Sequence, residues 1–464
     1  MIGAALTAIA LSASALWMAV PAASSVTQVD FPAYMNDAAH SAFSPAASIT
    51  TSSTLSLRWV FQEPKIAKQP HPRFVSTPLV LEHVIYEGSN SGEFYAIDLA
   101  TGAVIWKEFL GFEPKALCRA QGFFATAASG IDPTSGALTV YAASGDGNVY
   151  ALRASDGAIL WKSPVNVPDP GTNDYFSYSS PEIANGKLYI GIASECDNDH
   201  SPVSIRGGLA ALDQATGNRV ATYFTVPAGT IGGSIWSSPA IAADGSVIVT
   251  TGDATVGDTQ SVVRLDPNTL SRLDGYQLQT ATTDSDFGGS PTIFIATLAG
   301  VVTPMVGACN KNGYYYAWKL NALSAGPVWS VKIAGHSHST GNCLAGAIWD
   351  GTNLYEAGPR ATIKGVSYRG SIRKLDPATG AAVWTTGLPE AIITSPSLDG
   401  VGAIAAASFD TASATNTAYL INATTGTYQL VDDGNTIAAA SPVFADQSLI
   451  IATGGGAIYA YQPQ

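Results

Sequence analysis

Charge is scarce in this 464-residue chain: Asp, Glu, Lys and Arg make up 12% of it, and 22 Lys and Arg face 35 Asp and Glu. A net charge of −13 and the lack of any long basic run argue against DNA or RNA as a partner, because a phosphate backbone needs a cationic face. Acidic solubility is the simplest use of that charge, and a basic protein partner the next. No stretch has the periodicity of a long helix or a coiled coil. There are 4 cysteines, with no Cys-x-x-Cys pair, so the sequence offers neither a zinc ribbon nor a c-type haem attachment site. Only Ile2–Val20 is apolar enough for long enough to cross a bilayer, and the first charged side chain is Asp30.

That first stretch reads as an export signal with cleavage near Val20–Ser24. Residues 1–24 are then a signal peptide and 25–464 a single mature domain, although no basic residue precedes the apolar run. An uncleaved anchor is the alternative. Export to the periplasm, cell surface or medium makes disulfides the expected state of the cysteines.

What the chain does have is a repeat. Ile97-Asp98-Leu99-Ala100-Thr101-Gly102 leads to Trp106, and Leu152 to Gly157 leads to Trp161. Leu212 to Gly217 follows, then a degenerate Leu265 to Leu270, then a looser copy ending at Gly326 with Trp329. Leu375 to Gly380 leads to Trp384, and Ile421 to Gly426 closes the series. A period of roughly 46 to 60 residues marks an array of supersecondary units. Short alternating runs flank each Asp-x-x-Thr-Gly turn, as strands do. The Asp caps the turn and the Gly supplies a positive φ. A second hairpin precedes each copy, such as Ser179–Ile183 with Lys187–Gly191.

Four strands per unit make a propeller blade. The expected blades span about 75–108, 122–165, 178–224, 235–278, 289–333, 341–388 and 394–431. The final piece, 440–464, lacks its outer strand, which Leu55–Phe61 supplies to close the ring. The expected fold is all-β, an eight-bladed β-propeller of four-stranded blades, with seven blades as the fallback. In that register all four cysteines lie on one rim, and adjacent-blade pairs Cys118–Cys196 and Cys309–Cys343 are the sensible bridges out of three connectivities.

The same rim gathers polar patches: Glu195 beside Cys196; Gly232–Pro239 with Trp236; Thr250–Ala254 with Asp253; Asp284–Pro291 with Asp286; and Asn310-Lys311-Asn312-Gly313. Carboxylate oxygens suit a hard cation and an indole face suits a flat aromatic ligand. His336-x-His338 has no third ligand placed beside it, so a polar loop is the simpler reading.

These patches, with the opening segment Phe31–Ser44, resemble the pyrroloquinoline quinone (PQQ) dehydrogenase superfamily, and within it the polyvinyl-alcohol-dehydrogenase-like branch. The resemblance implies an exported enzyme that oxidises a small alcohol or a hydroxylated polymer with PQQ and Ca²⁺. Electrons then leave to an external acceptor such as a cytochrome c. It implies Glu195 and Asp253 as calcium ligands, with Asp253 standing where the family usually has Asn. Trp236 is implied as the floor under the quinone and Asp286 as general base and third metal ligand, with Asp284 the alternative base. Lys311 is implied to act on the quinone oxygens, and Arg119 to contact the cofactor. The sequence departs from the family in lacking the vicinal cysteine pair, since Cys118 stands alone, and blades three, four and seven lack the terminal Trp.

A non-catalytic propeller that presents its rim to a protein or a cell-surface polymer is the second reading. A hydrolase using Asp284 and Asp286 as a pair is a third, weakened by the expectation that the two side chains point apart along a strand.

Overall fold

A computed structural model describes residues 30–464 except 46, 53, 114–120, 166–174, 196–204, 279–283, 336–342, 414 and 432–436. The segment read as a signal peptide, Arg119, both cysteines of the expected Cys118–Cys196 bridge and His336/His338 therefore lie outside the described residues. The strands form eight sheets, each with the four antiparallel strands of one blade, and the ring closes as expected: Leu55–Gln62 pairs with Ala457–Pro463 and completes the last blade. The expected Cys309–Cys343 bridge is present, closing a loop with a sequence separation of 34. Removing both cysteines should cost at most about 4 kcal/mol by the loop-entropy argument. A Cys309→Ser/Cys343→Ser variant should melt earlier by calorimetry, and an unchanged melting point would contradict that.

The turn glycines have a second reason to be glycine. Each blade-end Trp lies over the next blade's turn. The Trp59, Trp106, Trp161, Trp329 and Trp384 indoles donate to the carbonyls of Leu99, Ala154, Gln214, Pro377 and Ala423 at 2.8–3.1 Å. A Cβ added at Gly157 would meet Trp106 at 2.8 Å. Blade three has Ala221 in the Trp position, opposite Ala211. The turn it would have covered carries Leu270, at φ 55, in place of Gly. Leu270 is buried in the apolar cluster that Ala221 packs against, so it fills in where the indole is absent. The degenerate copy is thus a compensated exchange between neighbouring blades.

Inner strands begin with Ser or Thr, most of them before Pro, for a similar reason. The backbone N–H of Thr77, Thr126, Ser180 and Ser238 donates to the hydroxyl of Thr126, Ser180, Ser238 and Ser290 in the next blade, at 2.9–3.0 Å. Ser441 N–H closes the circle onto Thr77 at 3.2 Å. These hydroxyls satisfy backbone groups that cannot join a sheet where the blades converge.

The segment Phe31–Ser44 crosses the far end of the central channel. Its carbonyls at Ala38, Ala39, Ser41 and Ala42 accept from Ile241, Ile293, Trp349 and Leu398, and Phe31 bridges Val80. One chain segment thereby ties blades one, four, five, six and seven together, and leaves the rim side as the open face.

Several acids are buried in this core. Burial pushes Glu182 up to about 8 and Asp399 up to about 6. The folded state then holds protons that the unfolded chain has released, so these groups lower stability as pH rises toward their folded values. Burial holds His40 down at about 4, below its ordinary 6.5, which works in the opposite direction only below that pH. Between pH 6.5 and 8 the Glu182 effect stands alone among these groups. The melting temperature should fall across that window, and Glu182→Gln should flatten the slope; an unaltered slope would refute the assignment.

Candidate functional site at the rim of blades four and five

Local chain geometry brings three carboxylates and one ammonium to one point. Asp253 follows the strand Val247–Thr250, and its carbonyl accepts from Gly233 N–H at 2.7 Å. Asp286 lies in the connection into blade five. Phe287 N–H donates to the Thr251 carbonyl at 3.2 Å, and the Asp286 carbonyl accepts from Lys311 N–H at 3.1 Å. Lys311 rides the Asn310–Gly313 turn, where Gly313 has φ 90 and its N–H donates to the Asn310 carbonyl at 2.9 Å. Asn310 Nδ2 reaches the Ser285 carbonyl at 2.6 Å and locks turn to connection. The Cys309–Cys343 bridge anchors the same turn one residue earlier.

Lys311 Nζ lies 2.8 Å from Asp284 Oδ1 and 2.7 Å from Asp286 Oδ1. The second contact has ion-pair distance without hydrogen-bond alignment, so Asp286 Oδ1 is buried with no hydrogen-bond donor assigned to it. Trp236 Nε1 donates to Asp286 Oδ2 at 2.9 Å, and Lys311 Nζ stands 4.9 Å from the Trp236 ring centroid. Each of Asp253, Asp284 and Asp286 offers an oxygen within 4.8 Å of the others'. Three carboxylates around one ammonium leave excess negative charge, a setting for a hard cation. Burial, then the Asp286 charge, pushes Asp253 up to about 6, while Gln260 Nε2, donating to Asp253 Oδ1 at 2.6 Å, and Lys311 oppose the rise.

Two side chains at this point hold strained backbone: Asp284 at φ 55 and Gln260 at φ 48. Such strain collects where a site is held in one geometry. Gln260 escaped the sequence reading because nothing around it marks it as a carboxylate partner. Gly288 is explained here too: a Cβ there would fall 2.2 Å from Trp236. The expectation that Asp284 and Asp286 point apart is corrected. Residues 284–288 are not a strand, and residues two apart share a face even in one. Both carboxylates reach Lys311.

Glu195 is buried at 5% exposure just after the strand Lys187–Ser194, with Tyr178 donating to its carbonyl at 2.7 Å; it is not one of the three converging carboxylates. Beside Trp236 a cavity of about 360 Å³ opens into the channel, with Phe124, Tyr178, Leu344, Ile393 and Phe409 around it and the inner-strand hydroxyls below. That volume is in the range of small-molecule sites, roughly 300–1,000 Å³. Tyr34, whose hydroxyl is 3.3 Å from Ser395 Oγ, stands in its wall.

Comparison with known proteins bears on the fold. Residues 31–220 match the model of the glucose/ethanol/alcohol dehydrogenase β-propeller domain, and residues 318–464 that of the outer membrane protein assembly factor BamB. The dehydrogenase subunit of a quinone alcohol dehydrogenase from Gluconacetobacter polyoxogenes is 31% identical over 158 residues, 32% of this chain and 20% of that protein. A polyvinylalcohol dehydrogenase from a Pseudomonas species is 27% identical over 221 residues, 43% of this chain and 32% of that protein. The matched stretch thus spans about a fifth to a third of these relatives' length. A europium-containing methanol dehydrogenase superposes with a TM-score of 0.71 at 15% identity, over 94% of this chain and 98% of that one, which shows a shared fold. The likeness to PQQ-type propellers is borne out.

Proposed function

We propose that this PQQ-type β-propeller is an exported dehydrogenase that oxidises an alcohol or polyol with PQQ and a hard cation, and passes electrons to an external acceptor such as a cytochrome c. The observation that carries the reading is the convergence of Asp253, Asp284, Asp286, Lys311 and Trp236 at one point of the rim. The residues fit the groups the family uses. A buried Asp286 oxygen without a hydrogen-bond donor belongs to a hard-oxygen donor set, and Trp236 offers an aromatic face beside a cavity of suitable size. Asp253, Asp284 and Asp286 would hold the cation, with Glu195 added by resemblance. Trp236 would hold the planar cofactor, and Arg119 contacts it by resemblance.

When bound, the quinone supplies the hydride acceptor and the cation its polarisation. The protein's own part is proton and charge handling. Asp286 Oδ1 takes the proton of the substrate hydroxyl, held in place by the Trp236 N–H on its other oxygen. Lys311, at ion-pair distance from Asp286 Oδ1, stabilises the negative charge that develops opposite it. Asp284 and the Asn310 turn hold Lys311 between the two carboxylates. The product is an aldehyde or ketone.

The test is dye-coupled oxidation of a panel of alcohols by protein loaded with PQQ and Ca²⁺. Europium(III) belongs in a parallel arm because of the europium-containing neighbour. Turnover that needs both quinone and metal supports the reading. No turnover with any alcohol or metal would favour the second reading, a non-catalytic propeller that binds a protein or polymer, which the match of residues 318–464 to an assembly-factor model keeps in view.

A further inference from the structure

On the same rim, at the junction of blades eight and one, half the ring away from the acidic site, the chain reverses its charge. Lys65, Lys68, His71 and Arg73 fall within nine residues, and no carboxylate stands between Glu63 and Glu82. All four basic side chains are exposed, and none has a hydrogen-bond or ion-pair partner among the described residues. In a chain of net charge −13, unpaired cations gathered in one short connection need a counterpart.

Three of them, Lys65, His71 and Arg73, line a cavity of about 450 Å³ together with Glu63 and the Gly454–Gly455 turn. Its frame is fixed at both ends. Glu63 N–H donates to the Gly456 carbonyl at 3.0 Å, Phe74 N–H to Thr453 at 3.0 Å, and Asn90 N–H to the Arg73 carbonyl at 2.9 Å. Pro72 lies so close to Gly456 that a Cβ there would be 2.8 Å away. The cations are therefore presented from a pinned loop.

Glu63 supplies an independent sign of a ligand. It is 2% exposed. Its Oε1 accepts from Ser91 and from the Tyr95 hydroxyl, whereas Oε2 is buried with no partner. An unmet buried carboxyl oxygen in a cavity wall calls for a polar group from outside. Burial raises the Glu63 carboxyl above its ordinary range, and the hydroxyls of Ser89, Ser91 and Tyr95 oppose the rise.

We propose that this cavity binds a small hydroxy-carboxylate, with the ligand carboxylate toward Lys65, His71 and Arg73 and a ligand hydroxyl on Glu63 Oε2. A compact inorganic anion held by the cations has no second, spaced hydroxyl to extend to Glu63. A neutral sugar does the reverse. An acidic protein face meets the exposed cations but does not reach the buried carboxyl. The site is separate from the acidic cluster and does not depend on the dehydrogenase reading.

Calorimetric titration of the intact protein with D-glucuronate, D-glucose and inorganic phosphate tests this. Glucuronate should bind saturably and at least about tenfold more tightly than either of the others, as paired charge-assisted and neutral hydrogen bonds add. Arg73→Gln and Lys65→Gln, both at exposed positions, should each weaken glucuronate by about tenfold. Glu63→Gln should weaken glucuronate and leave phosphate unchanged. Equal affinity for phosphate and glucuronate, or binding that Arg73→Gln leaves intact, would overturn the proposal.

Discussion

Asp286→Asn should cut turnover of the PQQ- and metal-loaded protein by about two to four orders of magnitude, the usual worth of a positioned general base. Quinone binding should survive. Asparagine keeps the size of the side chain, its amide oxygen still accepts the Trp236 N–H, and the Asp286 backbone carbonyl still holds the Lys311 turn. The lost element is a basic oxygen. Asp286 is fully buried and Asp284 is about a third exposed, so the two carboxylates are not equivalent. Asp284→Asn should reduce the rate less, by loosening Lys311. The kcat of both variants, measured with the same alcohol and dye, decides the matter. A large loss in Asp284→Asn with a small one in Asp286→Asn would transfer the base role to Asp284.

Lys311→Met should have the second large effect, on stability as well as rate. The ammonium is mostly buried and lies within ion-pair distance of both carboxylates. Removing it leaves Asp286 buried without its cation, and losing one partner of a buried pair costs about 3–5 kcal/mol. Asp284 can rehydrate, so the lower end is expected. A hard cation bound among Asp253, Asp284 and Asp286, as proposed, would replace the lost charge, so excess Ca²⁺ should restore part of the melting temperature in the variant. Rate should not recover in parallel, because losing one donor to developing charge costs about two to three orders of magnitude. Calorimetry with and without Ca²⁺ checks the first half and dye-coupled kinetics the second. A variant as stable as the parent without metal would show that the three carboxylates do not share charge as described.

The architecture was legible because each blade repeats one physical solution. The Asp-x-x-Thr-Gly turn needs a capping carboxylate and a positive φ, and the Trp that follows needs a bare backbone to lie on. That pair of demands writes itself into the sequence wherever both partners are kept, and the closing strand Leu55–Gln62 could be placed from the gap in the last unit. The pairing of Ala221 with Leu270 was not legible, because each looks like erosion until the two are seen at one apolar cluster. Within the site, residue identities were readable from the resemblance, but their mutual geometry was not. The convergence of Asp284 with Asp286 depends on an irregular connection whose bend is set by long-range bonds, Phe287 to Thr251 and Asn310 to Ser285. Gln260 and the rim cations from Lys65 to Arg73 fell outside the family pattern, so only their surroundings in the fold gave them meaning.

Quinone binding at the rim is tested most directly by titration of the protein with PQQ, in the presence and absence of Ca²⁺, following quenching of tryptophan fluorescence. The account predicts tight, calcium-dependent quenching that Trp236→Phe and Glu195→Gln both weaken. Absence of saturable quenching in either condition, with the propeller still folded by calorimetry, would contradict it.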